Sequence, residues 1–420
     1  MRVISFFKRL LGDFGWGFLA LNVPQLSQTF ISLLVAPYLE PHDLGVVALA
    51  AGVVLFFENL RDAGLVEALL REEAPSPVLL SSAAWFLLLG GFFWGGMLVL
   101  SAHPVAQLLK VPELSRILPV LALSFPLEAL NRVPSALLMR SFAYRRLFFA
   151  QLIPICFSLP ATFILARLGW GYWSIVYGGL IGAVVRAGIF LYLWRPKRTF
   201  SLRPLLSLIL FGLHVLWQVF LGWANLNTLR FLLGRFLGAH VLGLFGFAVS
   251  LTLRPLSFLS IPLLRMALPY FARFQRDREA LRRAYWRLFS RAVPAAWGLC
   301  AALALFAPPL IPKVFGPQWA EAAPLLRVLA LVAAVQSLGW LTGELFRALG
   351  RPEVISRVMF VQVALGLFVY ALTIPHGLWA FVKALVVVES LNALFNFLLA
   401  QYILRFPLSV HERTWRDERP

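Results

Sequence analysis

Leu39-Glu-Pro-His-Asp-Leu-Gly45, followed by Ala50, returns as Leu237-Gly-Ala-His-Val-Leu-Gly243, followed by Ala248, at an offset of 198 residues. Val120-Leu-Ala-Leu123 returns as Val328-Leu-Ala-Leu331 at an offset of 208, and each copy opens an apolar run. Apolar sequence repeats by chance, so either echo alone is weak. Together they divide the chain into two halves around the basic stretch 195–204. Halves with an even number of membrane spans enter the bilayer the same way, as parallel repeats related by an axis along the membrane normal. Such duplications place a site between the halves near the midplane, which points to transport.

The composition puts both halves in a membrane. Of 420 residues, 60% are hydrophobic and 14% charged, and the mean hydropathy is +0.80. An ordinary soluble domain is about 45–50% apolar and about 25% charged. A soluble enzyme, a disordered chain and a small disulfide scaffold are excluded. Apolar runs fall near 15–37, 44–60, 79–101, 116–138, 147–167, 172–194, 205–232, 241–264, 292–313, 322–346, 354–374 and 377–404. Twelve spans of about 20 residues would use nearly the whole hydrophobic share. The expected fold is an all-α polytopic membrane protein with twelve transmembrane helices in two six-helix lobes. The N-terminal lobe is 1–195, a cytoplasmic basic linker 196–204, the C-terminal lobe 205–404 and a cytoplasmic tail 405–420. The basic start runs into an apolar stretch with no A-x-A cleavage site, so it reads as an uncleaved first span.

Net charge is +19, from 38 basic and 19 acidic residues. In a soluble chain this would suggest nucleic acid. Here the positions explain it. With the N-terminus inside, 27 Lys/Arg fall in inner loops and the tail, among them Arg61 and Arg71 after the second span. Five fall outside: Lys110, Arg116, Arg167, Arg235 and Lys313. That bias predicts both termini cytoplasmic, in a multi-pass protein of the inner membrane, and leaves nucleic acid no role. The segment 265–291 carries eight of the inner arginines, with Leu281, Ala284, Tyr285, Leu288 and Phe289 at helical spacing. It reads either as an amphipathic helix on the anionic inner leaflet or as a loop helix packed on the protein.

Ionisable groups within hydrocarbon are costly and face a cavity or a partner. Arg230, Arg327 and Lys383 lie near span ends and can snorkel. Glu128, Arg254 and Glu389 are deep, and Arg132 and Arg186 intermediate. Glu128 and Arg132 stand at i and i+4 with Asn131 alongside. They form either a structural ion pair or a cavity wall that meets substrate or a coupling ion. Arg254 precedes Pro255, which predicts a kink; its guanidinium either receives a phosphate bidentately or pairs with Glu389. Asn227 and Arg230 share a face with Trp223, whereas Asn225 points elsewhere. Glu389, Asn392 and Asn396 align on the last span, and Gln25, Gln28 and Ser32 on the first. Such stripes either glue helices together or line a hydrophilic cavity suited to sugars. Glu128 and Glu389 are the candidates for an ion pair or for coupling to H+ or Na+.

Enzyme signatures are lacking in the sequence. There is no Walker loop, and the six histidines show no metal spacing. Cys156 and Cys300 sit in apolar runs without a C-x-x-C and read as small buried hydrophobes. No cofactor or metal is expected.

Several segments, taken together, resemble a known family. They are Asp43-Leu-Gly-Val-Val-Ala-Leu-Ala50, Arg61-Asp-Ala-Gly-Leu65, Gly234-Arg-Phe-Leu-Gly238, Phe315-Gly-Pro-Gln-Trp319 through Ala323-Pro-Leu-Leu-Arg327, and Ala348-Leu-Gly-Arg-Pro352. In order and spacing over residues 1–405 they are similar to Wzx-type polysaccharide flippases of the multidrug/oligosaccharidyl-lipid/polysaccharide exporter superfamily. The resemblance implies a MATE-like fold, alternating access and no ATPase. It implies that an undecaprenyl-pyrophosphate-linked oligosaccharide is flipped from the cytoplasmic to the outer leaflet for polysaccharide, lipopolysaccharide or O-antigen biosynthesis. Membrane lipids, a polysaccharide polymerase and glycosyltransferases are the implied partners. The implied cavity is cationic, in agreement with Arg132, Arg186 and Arg254. Relatives often carry an Asp where this chain has Leu229, so coupling here falls to another group or to none. The chain is short of the fourteen spans of lipid II flippases, which argues against a peptidoglycan precursor. Two alternatives stand beside this reading. A cation-coupled multidrug exporter of the same superfamily would want acidic cavity residues. A membrane polymerase or ligase would want a large outer loop with catalytic His or Arg.

Overall fold

Backbone in hydrocarbon must satisfy its own hydrogen bonds, which leaves helices or a closed barrel. This chain uses helices. The computed structural model describes residues 2–62, 65–66, 69, 75–197, 199–201, 203–275 and 277–405, with side chains apart from those of 2–14, 21, 25–26, 29, 203–222 and 225–226. Among the described residues there is no strand. The α-helices are α1 (Arg2–Val35), α2 (Pro41–Asp62), α3 (Pro77–Leu109), α4 (Leu114–Ala122), α5 (Ser124–Arg140), α6 (Tyr144–Arg167), α7 (Tyr172–Leu193), α8 (Arg203–Ala272), α9 (Arg278–Phe315), α10 (Ala322–Gln336), α11 (Trp340–Ala348), α12 (Pro352–Thr373) and α13 (Leu378–Arg405).

Ten helical segments are long and apolar enough to cross a membrane, among the described residues. One of the ten is the later part of α8, so with α1 and the earlier part of α8 the order accommodates the twelve expected spans. The long α8 leaves helical torsions at Gly238 (φ 86°, ψ 166°), a region that favours glycine. The chain keeps helical torsions through Arg254 and Pro255, and the departure from helical torsions falls at Gly238 instead. Membrane helices tolerate such prolines because local adjustment re-satisfies the freed backbone groups.

The helix order repeats. Leu114–Arg140 and Ala322–Ala348 are both 27 residues long, and both ends are displaced by 208. The next helices, from Tyr144 and Pro352, begin at the same displacement. Each 27-residue rod is interrupted once, by a turn at Leu123 in the first and by a short 3-10 turn, Ser337–Gly339, in the second.

Residues Met1–Gly243 and Leu244–Pro420 form two compact units. In the first, small residues let helix backbones approach closely. A Cβ at Gly91 would lie 3.0 Å from the Phe125 carbonyl oxygen, and one at Gly95 3.1 Å from that of Ala122. Gly178 and Gly182, one turn apart, leave room for the side chains of Thr162 and Ser158 of α6. The basic linker is tied to the start of α3. Trp85 Nε1 donates to the Lys197 carbonyl (2.9 Å), and the Lys197 and Ser201 amides donate to Ser81 and Ser82 (3.1 and 2.9 Å). The arm of α8 before Gly243 belongs to this unit, packed on α2.

In the second unit, Trp319 is sealed against Phe247, with ring centroids 4.1 Å apart. A core of Ala267, Phe271, Leu281, Ala284, Tyr285, Leu345, Phe346 and Ile403 joins the ends of α8, α9, α11 and α13. That core settles the segment 265–291. Its apolar face packs on the protein, as the second of the two readings has it, and Arg278, Arg282, Arg283, Arg287 and Arg291 stay exposed.

Candidate functional site

Six charged side chains gather on α2, α5 and α7 in the first unit. Arg61 is buried, with Nε 2.8 Å from Asp62 Oδ1, Nη1 donating to the Phe125 carbonyl at 3.2 Å, and the Phe125 ring 5.5 Å away. Asp62 Oδ2 accepts from Arg132 Nη2 at 2.9 Å. Glu128 Oε1 accepts from Arg186 Nη1 at 2.8 Å, and its Oε2 from Asn131 Nδ2 at 3.2 Å. Glu58, one turn before Arg61, is within electrostatic reach of Arg61, Asp62, Glu128 and Arg132. The i, i+4 spacing of Glu128 and Arg132 therefore serves two neighbours: Glu128 ties α5 to α7, and Arg132 ties it to α2.

This corrects the sequence reading of Arg61. Its guanidinium is not a solvated loop charge after the second span but a sealed group inside the last turn of α2. Glu58 and Asp62 also escaped notice. The signal was present in Glu58, Arg61 and Asp62, spaced by three and four residues along one helix face.

Asn227 is buried. Its Nδ2 donates to the Trp223 carbonyl (2.9 Å) and its Oδ1 accepts from Arg230 Nη1 (3.3 Å). Trp223 Nε1 in turn donates to the Gly52 carbonyl at 2.9 Å. The expected face is thus assembled and docks on α2. The side chains of Asn225 and Gln25 lie outside the described residues, while Ser32 Oγ donates to the Gln28 carbonyl at 2.7 Å.

In the second unit Arg254 does not pair with Glu389. Its Nη1 is buried with no hydrogen-bond partner. Glu389 meets neutral donors instead: Gln336 Nε2 at 2.8 Å and the Tyr370 hydroxyl at 3.0 Å. Asn396 exchanges amide hydrogen bonds with Gln362 (3.3 and 3.4 Å) and accepts from Thr342 on its carbonyl (3.0 Å). These bonds join α10, α11, α12 and α13, which is how amides glue membrane helices. Among the described residues no group of three or more His, Cys, Asp or Glu could hold a metal ion.

The protein is a multi-pass membrane protein with a MATE-like fold. A solved inward-facing multidrug resistance MATE family transporter of the MOP superfamily matches with a TM-score of 0.69 over 93% of this chain and 98% of its own, at 18% identity. Likeness at that identity carries the fold alone. Within that class the chain belongs to the family described as "Polysaccharide biosynthesis protein", whose profile matches residues 34–324. Two similar relatives are the succinoglycan biosynthesis transport protein ExoT of Rhizobium meliloti (strain 1021), 27% identical over 77% of this chain, and the lipopolysaccharide biosynthesis protein WzxC of Escherichia coli (strain K12), 23% identical over 76%. The matches span 66% of each relative's length, just under two thirds.

Proposed function

We propose that this protein is a flippase that carries an undecaprenyl-pyrophosphate-linked oligosaccharide from the cytoplasmic to the outer leaflet by alternating access. It has no enzymatic step and serves polysaccharide or O-antigen biosynthesis beside glycosyltransferases and a polymerase in the inner membrane. The two six-helix lobes, 1–195 and 205–404, joined by 196–204, are part of this proposal; the 208-residue register of the helices supports them. The relatives named for succinoglycan transport and lipopolysaccharide biosynthesis support the substrate class.

The observation that carries the reading is Arg254. A guanidinium deep in α8 with a buried, unspent Nη1 is costly to keep in a membrane. A phosphate oxygen would satisfy it with a charge-assisted bond. A bare pyrophosphate cannot cross hydrocarbon, so arginine must replace its water. A multidrug exporter selecting cations would gain nothing from Arg254. Coupling to H+ or Na+, where it occurs, falls to Glu389, whose carboxylate meets only neutral donors.

The test is transport of a lipid-linked saccharide in proteoliposomes. Arg254→Ala is expected to lower translocation at normal expression, and Arg254→Lys to restore part of it, since Lys keeps the charge but loses the fork. Full transport by well-folded Arg254→Ala would discard the phosphate role.

A further inference from the structure

The Arg186–Glu128 pair in the first unit uses one edge of its guanidinium. Nη1 bonds Glu128 Oε1, while Nε is buried with no hydrogen-bond partner. The carboxylate has a second anchor, because Asn131 Nδ2 holds its other oxygen. Glu128 therefore keeps a partner if Arg186 leaves, and Arg186 keeps unspent donors while it stays.

Accessibility separates this pair from its neighbour. The Arg61 side chain is 0% exposed, whereas Arg186 is 30% and Glu128 19% exposed. The Arg132–Asp62 pair is similarly open, at 35% and 20%. Charged groups that are partly open inside a span face the bundle interior or a water-filled cavity rather than lipid, where a soluble head group can reach both pairs. Within the group Asp62 faces Arg61 and Arg132, and Glu128 faces Arg186.

We propose that Glu128 is an internal counter-ion that holds Arg186 until the phosphate of a polyprenyl pyrophosphate displaces it, with Asp62 doing the same for Arg132. The proposal rests on the flippase reading above. A phosphate takes a guanidinium through two parallel bonds, whereas Glu128 takes it through one. The carboxylates spare the empty site unpaired guanidinium charge. They also weaken binding enough for the cargo to leave, as any conducting site requires.

The test is titration of the purified full-length protein in detergent with inorganic pyrophosphate and farnesyl pyrophosphate. Glu128→Gln keeps the shape and removes the charge. It is expected to bind both probes about tenfold tighter, equivalent to about 1.4 kcal/mol, with its melting temperature lowered by the uncompensated Arg186 and its transport slowed. Glu128→Gln combined with Arg186→Gln is expected to lose that gain. Unchanged or weaker binding by folded Glu128→Gln, while the wild type still binds, overturns the counter-ion role and leaves the flippase standing. If Glu128→Gln does not fold, Arg186→Lys decides: it must bind the probes more weakly than wild type, and equal binding overturns the proposal. Phosphatidylglycerol that displaces farnesyl pyrophosphate at equal concentration would assign the site to a lipid headgroup and overturn the proposal. A wild type that neither binds farnesyl pyrophosphate nor moves lipid-linked saccharide overturns both readings.

Discussion

Gly45 and Gly243 hold reciprocal positions in the first unit: a Cβ on Gly45 would overlap the Ala239 carbonyl oxygen, and a Cβ on Gly243 the Pro41 carbonyl oxygen. The four residues are two pairs at the 198-residue offset of the sequence echo, so the repeat meets itself at this crossing. Each glycine lets the partner helix end approach to backbone contact. Alanine at either position must push the two ends apart, at about 1–3 kcal/mol by the usual cost of overpacking. Gly45→Ala and Gly243→Ala are each expected to lower the melting temperature in detergent. Because one separation relieves both clashes, the double variant is expected to cost less than the two singles together. Additive losses would show that the contacts are independent.

Arg61 makes a second prediction. It is fully buried and bonded to Asp62 and the Phe125 carbonyl, and its Nη2 is unsatisfied. Removing one member of a buried charged set costs about 3–5 kcal/mol, because it strands the others. Arg61→Ala is expected to lower the melting temperature sharply and to reduce the monodisperse fraction on size exclusion. Arg61→Lys is expected to rescue little, since one ammonium cannot reach both partners with Arg geometry. A wild-type melting curve for Arg61→Ala would place the residue's weight elsewhere.

The contrast between Gly45 and Arg61 shows what a sequence discloses. The echo that contains Gly45 and Gly243 discloses the repeat but not that its copies touch, whereas the matching rods from Leu114 and Ala322 agree with the second echo. The charge group was not legible. The apolar run 44–60 stops one residue short of Arg61 and places it in an inner loop, although α2 runs on through Arg61 and Asp62. Arg61's partner Phe125 is 64 residues away, and the Glu128–Arg186 pair is 58 apart. Which acid meets which arginine depends on how α2, α5 and α7 pack, and local spacing favoured Glu128 with Arg132. The break in α8 went the same way. Pro255 is the stronger breaker on paper, yet the neighbours of a membrane helix absorb a proline, while Gly238 takes a torsion that other residues resist.

Glu389 bears on energy coupling. Its carboxylate has Gln336 and Tyr370 as donors. Glutamine at this position keeps one acceptor oxygen for Gln336 and turns its NH2 toward Tyr370, whose hydroxyl can accept as well as donate, so Glu389→Gln is expected to fold normally. If Glu389 takes the coupling H+ or Na+, the variant should lose the dependence of proteoliposome transport on the proton or sodium gradient while binding of substrate persists. Undiminished gradient dependence would remove Glu389 from coupling.

Topology gives the last prediction. Moving Arg61 out of the inner loops leaves the other inner Lys and Arg far in excess of the five outer ones, so the charge bias survives the correction. Arg273 and Arg278, on either side of the α8–α9 turn, are exposed, as a cytoplasmic end would have them. Reporter fusions after Arg203 and after Phe274 are expected to be cytoplasmic. A fusion after Gly316, at the far end of α9, is expected to be periplasmic. The helix of α9 has 38 residues, about 57 Å at 1.5 Å per residue, against a hydrocarbon core of about 30 Å. It is long enough for its two ends to lie on opposite sides, with the arginine-bearing turns beyond the hydrocarbon. Like activity at Phe274 and Gly316 would mean that α9 does not cross. Periplasmic activity after Arg203 would defeat six spans in the first half, and with it the parallel repeat.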